Sequence, residues 1–258
     1  MDILKEELLD GDVVIYNGDC LDVLPNIETG SVDSIICDPP YYLGLTHNGV
    51  KGAFSDLVLC KPFFIRLFKE YKRVLKKDGC VYFFCDWRSY AFYFPLFNDI
   101  LGATNMLVWH KNGRPQVQSY GYSHELLLFR GKLKNPRRED YFSSVINLTK
   151  SFADGATQID GAKVHPTQKP VRLIKKFILD STHKGDLVLD AFFGSGTTGV
   201  ACIETGRCCI GVELQDTYYE ISKTRCARAV KERREILFED SEGLQKPIDY
   251  MFIESDVE

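Results

Sequence analysis

The sequence predicts an α/β fold: a seven-stranded, mostly parallel twisted sheet with helices on both faces and one antiparallel strand. Three observations lead there. Seven apolar, strand-like runs recur along the chain, and helix-like patterns lie between several of them. The runs are also nearly continuous in Val, Ile, Leu and Phe, as strands covered on both faces require. They are 13–19, 32–38, 79–86, 104–110, 125–131, 186–193 and 208–214. The helical patterns are 61–76, 88–101, 168–182, 198–205 and 216–234. The last carries Arg and Lys toward its end, where the helix dipole favours them.

A chain of 258 residues supports one sizeable α/β domain, with or without a small appendage. Hydrophobic residues make up 45% and charged residues 26%, which excludes wholesale disorder. No apolar run reaches the ~20 residues of a membrane helix. The opening MDILKEELLDGD is acidic and lacks an apolar signal core, so a cytoplasmic location is expected. Nine cysteines occur, mostly within apolar runs such as SIICDPP and GCVYFFCDW, as expected of reduced, buried thiols. Cys208 and Cys209 are adjacent and no C-x-x-C pair exists, so no metal site is expected.

Net charge is −4, but its distribution is uneven. RGKLKNPRR (130–138) holds five basic residues, Arg130, Lys132, Lys134, Arg137 and Arg138, and Lys111 and Arg114 lie nearby in sequence. A basic stripe suits phosphate contact, although charge alone fits a solvated loop equally well. The tail from Glu235 has eight acids and one base. Residues 42–60 contain three glycines and are expected to form a mobile loop. Residues 132–166 are polar and aperiodic, the mark of a functional insertion.

Two motifs carry chemistry. In SIICDPPYYLG a buried strand runs into Asp38-Pro39-Pro40-Tyr41 at the carboxyl edge of the sheet, where α/β folds place ligands. Two prolines fix the backbone and supply carbonyls without local N–H donors. An amino group on a nucleobase needs such acceptors, because its lone pair is delocalised into the ring. Asp38 and the Pro39 carbonyl can accept its two N–H bonds and free that lone pair, while Tyr41 stacks on the base. The plain alternative is a capped strand end leaving through a rigid turn.

The second motif, DLVLDAFFGSGTTGVAC, is a strand, a glycine-rich turn and a helix start. Gly194, Gly196 and Gly199 satisfy G-x-G-x-x-G, and Glu213 ends the next strand. This implies an adenosine-containing cofactor without saying which, and a nicotinamide-dependent oxidoreductase stays open on this motif alone. Asp190, Phe192, Phe193, Ser195 and Thr197 suit a sulfonium and an amino-acid zwitterion better than a pyrophosphate, which favours S-adenosylmethionine.

Together the motifs resemble the permuted, beta-group amino-methyltransferases of DNA, in which D-P-P-Y precedes F-x-G-x-G. Here Asp38–Tyr41 precedes Phe192–Gly196 by about 150 positions. The resemblance spans roughly residues 12–230 and implies a Rossmann-like, S-adenosylmethionine-dependent methyltransferase fold. It puts Asp19 and Cys20 near the cofactor's adenine, and Thr167 and Lys169 near its methionine carboxylate. Asp38, Asp190, Phe192, Gly194, Ser195, Gly196, Thr197 and Glu213 complete the cofactor set. YSHELLLFRGK (122–132) resembles the strand lining the target-base pocket, and residues 132–164 fall where the family carries its target-recognition region.

The resemblance further implies a catalytic domain over 1–234, an acidic tail over 235–258, and double-stranded DNA as substrate with its target base flipped out. A homodimer and a restriction endonuclease are the other partners it suggests. D-P-P-Y favours N6 of adenine; N4 of cytosine and RNA are the alternatives. The expected strand order is 13–19 at one edge, then 208–214, 186–192, 32–38 and 79–85. Among smaller candidates, Trp87, Trp109, Phe83 and Phe84 are expected in the core, and His47, His124 and His165 in structural or surface roles.

Overall fold

The computed structural model describes residues 3–9, 11–40, 46–47, 50–51, 57–111, 123–134, 143–148, 158–159, 162–163 and 168–241. In chain order its elements are β1 (Leu4–Leu8), β2 (Val13–Asn17), α1 (Cys20–Val23), a 3-10 turn (Leu24–Asn26), β3 (Val32–Cys37), β4 (Thr46–His47), β5 (Val50–Lys51), α2 (Leu57–Val74) and β6 (Leu75–Cys85). There follow α3 (Trp87–Leu101), β7 (Asn105–His110), β8 (His124–Arg130), β9 (Val145–Asn147), β10 (Gln158–Ile159), β11 (Ala162–Lys163) and α4 (Val171–Ser181). The chain then forms β12 (Leu187–Asp190), α5 (Thr197–Thr205), β13 (Cys208–Glu213) and α6 (Asp216–Ser241).

Nine strands form one sheet in the order β1-β2-β13-β12-β3-β6-β8-β7-β9. Its centre reproduces the expected run β2-β13-β12-β3-β6, all parallel. Strand β8 is reversed, antiparallel to both β6 and β7, and β1 is a second reversed strand, so nine strands with two reversals stand where seven with one were expected.

Four further expectations need correction. The opening strand is not at the edge, because β1 pairs outside it, antiparallel from Leu4↔Asn17 to Leu8↔Val13. LKEEL reads as polar because it covers an edge with little to bury. The region expected to be aperiodic adds β9, parallel to β7 from Val108↔Val145 to His110↔Asn147, and a β10–β11 hairpin. Helix α2 starts at Leu57, inside the expected loop, with Pro62 in its second turn. Helix α6 runs to Ser241, into the expected tail.

Alternate residues of the central strands feed two cores, which is why the runs are continuously apolar. Ile36, Tyr82, Phe84 and Val188 face α4, α5 and α6, meeting Phe177, Ala201 and Cys226. Ile35, Val81, Phe83 and Leu189 face α1, α2 and α3, meeting Phe64, Phe68, Tyr93 and Phe97. Phe83 and Phe84 are therefore core, as expected, and so is Trp109, whose indole donates to the Leu148 carbonyl at 2.9 Å. Trp87 is not; it is 55% exposed at the start of α3. No disulfide joins the nine cysteines, and all but Cys208 are buried. Among the described residues, no helix is long and apolar enough to cross a membrane.

The described part of the basic cluster lies away from the edge that carries Asp38. Strand β8 runs against its neighbour β6, so Arg130, Lys132 and Lys134 emerge at the amino edge of the sheet, a strand length from Asp38. The Arg130 guanidinium donates to the carbonyls of Gly79 (3.0 Å) and Lys77 (3.2 Å). Lys134 bridges Asp33 and Asp186 at 2.7 and 2.8 Å, and the Lys132 carbonyl accepts from the Cys80 thiol. These are framework contacts. Arg114, Arg137 and Arg138 lie outside the described residues.

Burial pushes the Asp33 carboxyl up, but Lys134, Lys76 and the Leu187 amide outweigh it and hold it below the ordinary value. A depressed carboxylate contributes stability above its unfolded pKa and loses it as pH falls through the folded one. Lys134→Met is therefore expected to cost about 2 kcal/mol at neutral pH, discounted because Lys134 is partly exposed. Urea denaturation should show that cost shrinking toward pH 3.

Candidate active site

Strand β3 ends at Cys37 and β12, its parallel neighbour, at Asp190, paired through Val188↔Ser34 and Leu189↔Ile35. The two motifs therefore leave the sheet side by side. Asp38 is half-buried, Pro39 buried and Pro40 exposed. Tyr41, Thr167 and His165 lie outside the described residues.

After β12 the chain turns through Ala191–Gly196. Asp190, buried, is the turn's anchor: it accepts from Thr198 Oγ1 at 2.6 Å and from the Phe192 amide at 3.0 Å. Gly196 caps α5 with a φ of +80°, and a Cβ there would sit 2.9 Å from the Ser222 Cβ of α6. Gly194 also has a positive φ, +53°, but a Cβ there would meet only the Phe192 carbonyl, at 3.9 Å. The turn is thus closed toward α6 and open at Gly194.

Glu213 ends β13 and ties the turn to the next strand. Its carboxylate accepts from the Gly194 amide at 2.7 Å and the Gln215 amide at 2.8 Å. Beneath the turn, buried Arg225 of α6 donates to the Ser195 carbonyl (2.5 Å), the Ser195 hydroxyl (2.8 Å) and Thr197 Oγ1 (3.4 Å). Phe192 is half-buried, edge-on to Phe63 at 6.3 Å. Asp19 caps α1 by accepting from the Leu21 amide at 2.8 Å. Cys20 is buried, and burial, helped by Asp19, pushes its thiol up to about 12, so it is no nucleophile at neutral pH.

The edge is acidic. Burial pushes the Asp190 carboxyl up to about 7, against hydrogen bonds from Thr198 and the Phe192 amide, and the charges of Asp38 and Glu213 add to the rise. Burial raises Glu213 too, opposed by the amides that bind it. An open glycine cradle lined by three carboxylates fits a cationic ligand carrying a nucleoside. Those are the features of S-adenosylmethionine: Glu213 suits ribose hydroxyls, and the carboxylates suit the sulfonium and ammonium. A pyrophosphate would meet like charge.

A stability prediction follows for the cofactor-free protein. A carboxyl raised to about 7 keeps its proton in the folded state while the unfolded chain ionises near 4. Its favourable contribution is complete below the unfolded pKa and is lost as pH rises through about 7. Asp190→Asn should flatten the decline in melting temperature between pH 5 and 8, a range set by these values. An unchanged slope would contradict it.

On the other side of Asp38, the Lys169 ammonium lies 2.5 Å from Asp38 Oδ2 and 3.3 Å from Glu125 Oε2. Glu125 opens β8 at the same edge, opposite Trp109, and also accepts from Lys111 at 2.6 Å. Burial pushes Glu125 up, but Lys169 and Lys111 outweigh it and hold it low. Sequence reasoning missed both Glu125 and Arg225. An acid at the head of the apolar run ELLLF was the available signal for Glu125; nothing local marks Arg225 within its helix.

A mostly parallel sheet with a glycine cradle and a carboxylate at adjacent strand ends defines the S-adenosylmethionine-dependent methyltransferase class. Within that class this chain belongs to the DNA methylase family of the N6/N4 amino-methyltransferase type, whose family model matches residues 32–224. It is 30% identical over 255 residues to the type II methyltransferase M.HinfI of Haemophilus influenzae, covering 86% of this chain and 70% of that protein. It is also 30% identical over 240 residues to the DNA adenine methyltransferase YhdJ of Escherichia coli K12, covering 82% and 81%. Among solved structures, the complex of M1.HpyAVI with S-adenosylmethionine superposes with a TM-score of 0.63 at 25% identity, covering 83% of this chain and 98% of that one.

Proposed function

We propose that the chain methylates N6 of adenine in double-stranded DNA, on a base rotated out of the helix. The observation that carries this reading is that Asp38 follows β3 directly and the glycine cradle follows its parallel neighbour β12. Bound there, S-adenosylmethionine supplies an electrophilic methyl group, and the remaining tasks fall to the protein. Asp38 and the Pro39 carbonyl accept the two N–H bonds of the amino group and release its lone pair. Tyr41 stacks on the base. Extrusion costs ~ a few kcal/mol of stacking and pairing. Fixed acceptors at the nitrogen contribute by alignment and by favouring the developing charge. Adenine is preferred over cytosine on Asp38 and on the adenine specificity named for the YhdJ relative.

The DNA would lie over the carboxyl edge, where Lys111 and the exposed Trp87 sit, with 42–60 and 132–164 supplying recognition and 1–234 forming the catalytic unit. A companion restriction endonuclease, a second copy of the chain as partner, and the cytoplasm as workplace belong to the same proposal. The test is incubation with labelled S-adenosylmethionine and plasmid DNA, followed by nucleoside analysis. N6-methyl-2′-deoxyadenosine is expected; N4-methyl-2′-deoxycytidine, or label entering RNA alone, would overturn the reading.

A further inference from the structure

Lys169 is only 6% exposed, yet it carries an ammonium group. Burying such a charge is expensive unless it is closely paired. Here the Nζ lies 2.5 Å from Asp38 Oδ2, 3.3 Å from Glu125 Oε2 and 5.0 Å from the centre of the Phe84 ring. Glu125 is anchored in turn by Lys111, whose own ammonium lies 5.3 Å over the Trp109 ring. Asp38, Lys169, Glu125 and Lys111 form a line of alternating charge along the sheet edge where β3 and β7 end and β8 begins. Burial depresses the Lys169 ammonium, but Asp38 and Glu125 outweigh it and hold it protonated.

We infer that Lys169, held by Glu125, is a positioning residue for Asp38: it fixes the orientation of the carboxylate that receives the target amino group. The inference rests on the proposed role of Asp38. Two geometric facts favour it over a role confined to the cofactor. Lys169 contacts the acceptor carboxylate directly, whereas the cradle's own polar groups are tied together by Glu213 and Arg225. Asp38 also stands close enough to Asp190 to raise its carboxyl, so a cation on its far side offsets mutual repulsion that would turn it away.

The test compares Lys169→Met, Lys169→Arg and Glu125→Gln in the full chain, measuring kcat and KM on plasmid DNA and S-adenosylmethionine affinity by calorimetry. Lys169→Met should lower kcat at saturating cofactor about 100-fold, as loss of alignment does, beyond whatever cofactor affinity it costs through the methionine carboxylate. Lys169→Arg should recover about tenfold of that loss, and Glu125→Gln should lower kcat about tenfold with cofactor affinity intact. If Lys169→Met does not fold, the same split is read from the milder pair. The inference is overturned if these variants weaken cofactor binding while kcat at saturating cofactor is unchanged. Failure of the underlying reading looks different: Asp38→Ala would then stay active.

Discussion

Asp38→Ala loses at least about 10³-fold in the rate of methyl transfer, on the scale of removing a preorganised group at a reacting atom. The same variant loses far less S-adenosylmethionine affinity, about tenfold at most, because Asp38 is one of three carboxylates at the cofactor but the one that receives the reacting amine. The structural ground is position. Asp38 sits one residue beyond β3, beside the turn, but the turn is held by other groups: Asp190 on Thr198 and Phe192, Glu213 on Gly194, and Arg225 on Ser195. Removing Asp38 leaves all of these in place. Single-turnover transfer alongside calorimetry separates the two quantities, and a parallel loss of both would mean that Asp38 chiefly builds the cofactor site.

Gly196→Val should show the opposite split. A β-branched residue at a φ of +80° is strained, and its Cβ would press on the Ser222 Cβ 2.9 Å away. Left-handed backbone costs a non-glycine residue of order 1–3 kcal/mol, about 10- to 100-fold in an equilibrium. Either α5 moves off α6 or the turn flattens, and both displace the Gly194 amide that Glu213 holds and the Ser195 carbonyl that Arg225 holds. Cofactor affinity is therefore expected to fall about 10- to 100-fold. Transfer at saturating cofactor should recover much of the parent rate. Equilibrium titration with S-adenosylmethionine checks this; unchanged affinity would show that the turn does not cradle the cofactor.

Much of this was legible in the sequence, for physical reasons. Strands covered on both faces must be apolar at every position, so β3, β6, β12 and β13 stand out, and the motif order places β3 next to β12. Strand β1 escaped because an edge strand needs no apolar face, and β9 because three residues, Val145–Asn147, are too short to show a period. The place of the basic cluster was not legible, because charge along the chain carries no information about the direction of a strand. Once β8 is antiparallel, Arg130 and Lys134 emerge far from Asp38, where backbone carbonyls engage Arg130 and acids at the strand starts engage Lys134. Lys169 was named as a cofactor contact; its pairing with Glu125, 44 positions away, depends on a meeting of β8 with the segment before α4 that no local pattern encodes.

The central claim is that Asp38 and the glycine cradle together transfer a methyl group to an adenine amino nitrogen in DNA. It is tested most directly by modification-sensitive sequencing of DNA from a methylation-free host expressing the parent chain or Asp38→Ala. The parent should mark adenines at N6 in one recurring sequence context, and the variant should leave them unmarked. Marks on cytosine, or adenine marks that persist in the variant, would contradict the account.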